Sequence, residues 1–142
     1  MLLRLIPCLA LAACATASSR PLAPADEFSL QQAADSIPLA QGRDVKVGDT
    51  WLRFAGVTRD SRCPEGVMCV WAGDAEIALV VHPPCYAQGC KAASVVLALH
   101  TGVEPRSGTG WGRRVTLVAL TPGPVTGTPT DPSRYVAWVR VQ

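Results

Sequence analysis

Cys63 and Cys69 bracket Pro64-Glu65-Gly66-Val67-Met68, and Cys85 and Cys90 bracket Tyr86-Ala87-Gln88-Gly89. Thiols so placed could hold a metal, exchange electrons, or close two covalent loops. Structural zinc favours cysteine knuckles with about two to four intervening residues; Cys63 and Cys69 enclose five, and Cys85 and Cys90 enclose four, the upper end of that range. A thiol oxidoreductase favours C-x-x-C, which lowers the pKa of its attacking thiol; the chain has no such run. Copper fits better, because Met68 sits beside Cys69 and His82 and His100 would supply imidazoles if they met across a hairpin. Histidines on strands are more commonly polar-face residues, and disulfide-bonded cysteines are no longer thiolate ligands. Metal binding therefore stays the alternative, and no resident cofactor is expected. Loop closure depends on the redox compartment.

The N-terminus speaks to that compartment. In MLLRLIPCLALAACATASSRP, Arg4 forms a short positive region and an apolar run follows that ends in small residues. This is the layout of a secretory signal. The run is well short of the roughly 20 residues a transmembrane helix needs. Leu11-Ala12-Ala13-Cys14 resembles the lipobox of bacterial lipoproteins, whose cysteine is lipidated and becomes the mature N-terminus. Cys8 is unsuited to that role, since Pro7 stands where a small residue belongs. The expectation is a lipoprotein signal peptide over 1–13, lipidation of Cys14, and attachment to a membrane through acyl chains. Ala15, rather than an aspartate, resembles the sorting pattern for an outer membrane facing the periplasm, if the cell has one.

Export places the remaining four cysteines in an oxidising compartment, where paired thiols become disulfides. Four cysteines allow several connectivities. Local turn chemistry favours Cys63–Cys69 and Cys85–Cys90. Pro64 and Gly66 suit a type I turn inside the first pair, and Gly89 suits a tight loop inside the second.

Other chemistries find less support. Without Arg4, twelve basic side chains face eleven acidic ones, which gives no footprint for nucleic acid. Arg113-Arg114 is an isolated doublet. Asp60, Ser61 and either histidine have the residue types of a hydrolytic triad, but no nucleophile-elbow motif positions them. Asp74 and Glu76 lack a flanking pattern for paired-acid chemistry, and Gly108-Thr109-Gly110-Trp111-Gly112 precedes a β-like run, not the helix a phosphate cradle needs. An enzyme is not expected.

Residues 14–36, rich in Ala, Ser and Pro, read as a lipidated cysteine followed by a tether. Residues 37–142 suffice for one domain. Period-2 runs recur there, bounded by Gly, Pro or Asp: Val45 and Val47, then 50–57, 74–82, 93–100, 114–120 and 135–141. They predict an all-β domain, a small sandwich or barrel of about six antiparallel strands stapled by disulfides. Pro83 and Pro84 end one strand, so Cys85–Cys90 should pin the tip of the hairpin that follows.

Trp51, Trp71 and Trp138 lie in or beside these runs and are expected in the core. Trp71 in particular shares parity with Ala75, Ile77, Leu79 and Val81. Trp111, set among glycines, is a candidate contact for a sugar ring or a partner protein. Residues 121–133, with four prolines, form a second candidate surface.

The run DSRCPEGVMCVWAG, with RVTLVALTP and YVAWVRV, resembles a family of small, uncharacterised bacterial lipoproteins. Those share a D-S-R-C-P-x-x-V-x-C-V/I-W-x-G core after a lipobox. The resemblance spans roughly 45–142 and implies location and fold, with no catalytic residue; Cys85 and Cys90 lie outside the shared core. The reading is a membrane-anchored, non-catalytic binding or structural module of the cell envelope, with an envelope protein or glycan as partner. Its rivals are a copper-handling periplasmic lipoprotein and a protease-inhibitor-like presenter of Pro64, Glu65, Val67 and Met68. A loop held by a disulfide binds with less ordering cost, which makes the last of these physically reasonable.

Overall fold

The computed structural model describes residues 35–142. The expected signal peptide, Cys14 and nearly all of the tether lie outside the described residues. The domain is all-β, with eight strands in two antiparallel four-stranded sheets. These are β1 (Ile37–Ala40), β2 (Asp44–Val47), β3 (Thr50–Asp60), β4 (Ala75–His82), β5 (Val95–His100), β6 (Ser107–Gly110), β7 (Arg113–Thr121) and β8 (Val136–Val141). One sheet runs β1-β8-β7-β6 and the other β2-β3-β4-β5. The result is an open sandwich; a closed barrel is not formed.

Alternation builds the core. Ala75, Ile77, Leu79 and Val81 on β4 are fully buried, and so are Leu52 and Phe54 on β3. Val115 and Leu117 on β7, Ala137 and Val139 on β8, and Leu39 on β1 face them from the other sheet. Successive side chains of a strand point to opposite faces, so each segment contributes every second residue. A register shift between Leu117 and Ala119 breaks the rule once on β7 and brings Leu120 back to the core.

Six segments match the sequence expectation, and β1 and β6 are additional. β6 is Ser-Gly-Thr-Gly, with no apolar residue to signal a strand. Its glycines are demanded by packing across the sandwich. A Cβ on Gly108 would stand 2.9 Å from Leu97 Cδ2, and one on Gly110 would stand 2.9 Å from Val81 Cβ. The opposite sheet's side chains rest directly on this backbone. Trp111 (φ 50°) and Gly112 (φ 73°) then form the two-residue connection to β7, both with positive φ as a tight hairpin turn requires.

Both disulfides form as the turn chemistry predicts, Cys63–Cys69 and Cys85–Cys90. The second holds a 3-10 turn (Tyr86–Gln88) in the β4–β5 connection. The first sits in the connection from β3 to β4.

Candidate functional site

Beyond Asp60 and Ala75 the β3–β4 ribbon continues past the end of the sandwich. Ser61 N donates to Asp74 O (2.7 Å) and Cys63 N to Ala72 O (3.0 Å). The Cys63–Cys69 bridge, with its Cα atoms 6.0 Å apart, closes the tip of this ribbon.

Every residue at the base of the loop is tied down. Arg62 forks onto Asp60, Nε to Oδ1 at 2.9 Å and Nη2 to Oδ2 at 2.7 Å, with both side chains mostly buried. The same guanidinium donates to Leu120 O near the end of β7 and to Pro122 O just beyond it, and Tyr135 Oη donates to Asp60 Oδ2 at 3.0 Å. Burial pushes the Asp60 carboxyl up, but the hydrogen bonds from Arg62 and Tyr135 outweigh it and leave the pKa below its ordinary value. Ser61 Oγ donates to Asp74 O (2.9 Å). Gly73 has φ +71°, and a Cβ there would stand 1.9 Å from Ser61 O. No side chain fits at that crossing. Glu65 N donates to Pro124 O at 3.1 Å, so the proline-rich connection after β7 backs the loop.

The tip is the opposite in character. From Gly66 to Gly73 no residue is charged. Met68 is 101% exposed, Val70 91%, Trp71 81% and Val67 46%. Trp71 is therefore not the buried anchor its parity suggests. β4 begins at Ala75, and the left-handed Gly73 turns the chain between Trp71 and the strand, so the alternation does not extend back to residue 71. Trp51 and Trp138 are half-buried at the sheet surfaces, not in the core.

Among the described residues, six of the eight exposed large hydrophobic residues stand in loops at this one end: Val67, Met68, Val70, Trp71, Val103 and Val125. Val103 belongs to the β5–β6 connection, whose Gly102 abuts Gly73 O, and Val125 to the connection that accepts from Glu65. Two sequence candidates, the stapled loop and residues 121–133, thus meet. Trp111 does not join them; its hairpin lies at the far end of the sandwich, where β7 begins and Arg113 pairs with Asp49 (2.6 Å).

The histidines do not meet either. His100 stands opposite Glu76 at one end of the β4–β5 ladder and His82 lies beyond Val81–Val95 at the other, roughly 20 Å away by strand rise. His100 Nδ1 bonds Asp74 Oδ2 (2.6 Å), whose Oδ1 accepts from the amides of Thr101 and Gly102. His82 stacks on Tyr86 (centroids 3.8 Å), shares a 2.7 Å bond with Ser94 Oγ and places Nε2 3.4 Å from Asp44. An Asp-His-Ser grouping is thereby assembled from β2, β4 and the β4–β5 connection, which no local motif could have signalled. Its carboxylate is occupied by a two-pronged bond from Arg53 (2.8 and 2.6 Å), which holds Asp44 below its ordinary pKa. Asp60 and Ser61, the triad types noted in the sequence, touch neither histidine: they lock the stapled loop. Among the described residues no three His, Cys, Asp or Glu side chains cluster as metal ligands.

Compared with known proteins, the chain matches no family model, no curated protein and no solved structure.

Proposed function

We propose that this protein is an exported, lipid-anchored, non-catalytic binding module of the cell envelope, and that the Cys63–Cys69 loop is its contact surface. One observation carries the reading: a loop clamped at its base by Asp60, Ser61, Arg62, Cys63 and Gly73 holds Val67, Met68, Val70 and Trp71 out in water. The domain core makes no use of those four side chains. Large apolar residues grouped on a surface mark interaction sites, and a clamped loop loses little conformational freedom when it binds. The anchor at Cys14 and the envelope location rest on the lipobox and on the two disulfides, which suit an oxidising compartment.

A photo-crosslinking amino acid placed at Val70 in cells tests the surface. Crosslinked product should form there and not with the same group at Thr109, and Trp71→Ala should abolish it without changing the melting temperature. Equal crosslinking at both positions, or none at either, overturns the reading.

A further inference from the structure

We infer that the occupant of the stapled tip is the surface of the lipid bilayer, with Trp71, Val70, Met68 and Val67 seated among the headgroups of the membrane that holds the anchor. The inference rests on the binding-loop reading and adds the chemistry of the partner.

Three observations favour lipid. First, the tip is exposed and uncharged over the whole of 66–73, Glu65 being the one charge within the bridged loop, and the side chains of 66–73 offer a single strong hydrogen-bond donor, the indole N–H. A glycan site needs several polar groups, and a protein site ordinarily carries a polar rim that fixes register. A headgroup layer needs neither. Second, the mixture is the interfacial one, a Trp with aliphatic neighbours, whose ring has an apolar body and a polar edge. Third, the chain outside the structure is long enough. Residues 15–36 between Cys14 and β1 can reach up to about 70 Å. From the start of β1 to the loop tip is roughly 40 Å, the rise of β1 plus that of the extended ribbon. The domain can therefore stand with its loop end on the anchoring membrane, and the acyl chains keep that surface at high effective concentration.

Depth follows from the backbone. Within the loop, Val67 N donates to Pro64 O and Cys63 N to Ala72 O, while the amides of Met68 to Trp71 make no hydrogen bond among the described residues. Unpaired amides are costly in hydrocarbon but are satisfied by water and phosphate in the headgroup layer. The tip should sit shallow.

The test uses acylated mature protein reconstituted in vesicles of phosphatidylethanolamine and phosphatidylglycerol. Tryptophan emission is recorded with and without lipid brominated near the headgroup, and the spectrum of Trp71→Phe protein is subtracted to isolate Trp71. The expected result is a Trp71 emission shifted to shorter wavelength, quenched by the brominated lipid and shielded from iodide in the water. Val70→Asp, at an exposed position that leaves the fold intact by its melting temperature, should restore iodide quenching. A Trp71 that stays open to iodide and untouched by brominated lipid overturns the lipid assignment. If Val70 then crosslinks to a protein in cells, the partner is a protein and only this inference falls. If it crosslinks to nothing, the binding-loop reading falls with it.

Discussion

At the scale of the residue, the stretch from Asp60 to Gly73 separates into side chains the fold uses and side chains it leaves in water. Gly73→Ala should destabilise by about 2 kcal/mol or more, because it combines a left-handed φ with a Cβ driven into Ser61 O. Arg62→Ala should cost roughly 3 kcal/mol, since it removes the guanidinium from the mostly buried Asp60 carboxylate and leaves it only the residue-62 amide and Tyr135. Trp71→Ala should lie within about 0.5 kcal/mol of wild type, the behaviour of a surface substitution. Thermal melts of the three variants decide the matter. A large loss on Trp71→Ala would return that residue to a structural role, and a silent Gly73→Ala would contradict the loop geometry.

At the scale of the element, the stapled loop is a continuation of the β3–β4 ribbon, held by two ladder-like bonds before the bridge is reached. Replacing Cys63 and Cys69 by Ser together should cost about 2 kcal/mol, the loop entropy released to the unfolded chain. Hydrogen exchange should quicken at the bonded loop amides of Glu65 and Val67 while β3 and β4 stay protected, because the bonds at Ser61 and Cys63 do not depend on the sulfurs. Exchange that spreads through β4 would show that the bridge supports the sheet as well as the tip. Non-reducing peptide maps should recover 63–69 and 85–90 pairs, and any crosslink between the two loops would refute this arrangement.

At the scale of the whole molecule, three carboxyls tie separate parts of the sandwich together and all have lowered pKa values. Arg53 holds Asp44 down. At Asp60 and Asp74 burial acts upward but is outweighed, by Arg62 and Tyr135 in the first and by the Gly102 amide and His100 in the second. A carboxyl depressed in the folded state contributes stability that is present above its unfolded value of about 4 and lost as pH falls through the folded one. The melting temperature should therefore fall as pH drops below about 4, and Asp60→Asn should make that fall shallower. A melting temperature that stays flat through that range would count against these ties. Acylation of Cys14 belongs to this scale too: mass spectrometry of the mature N-terminus should show it, and an unmodified start at Ala15 or beyond would remove the anchor.

What the sequence determined by itself is what depends on near neighbours. Period-2 alternation in 74–82, 114–120 and 135–141 identifies the core faces, and Pro and Gly inside each cysteine pair identify the two bridges, since pleat and turn are local geometry. Tertiary structure decided everything that depends on an approach across space. β6 is a strand because Leu97 and Val81 press on Gly108 and Gly110 from the other sheet, and no residue within β6 announces that. Arg62 is a clamp because Leu120 and Pro122 come to it from 58 and 60 residues away, while Asp60 is a near neighbour. Trp71 reads as core by parity, yet parity holds only while the backbone stays extended. The crossing of Gly73 over Ser61 ends the strand before Trp71 is reached, and that turns an expected anchor into the exposed tip of the loop.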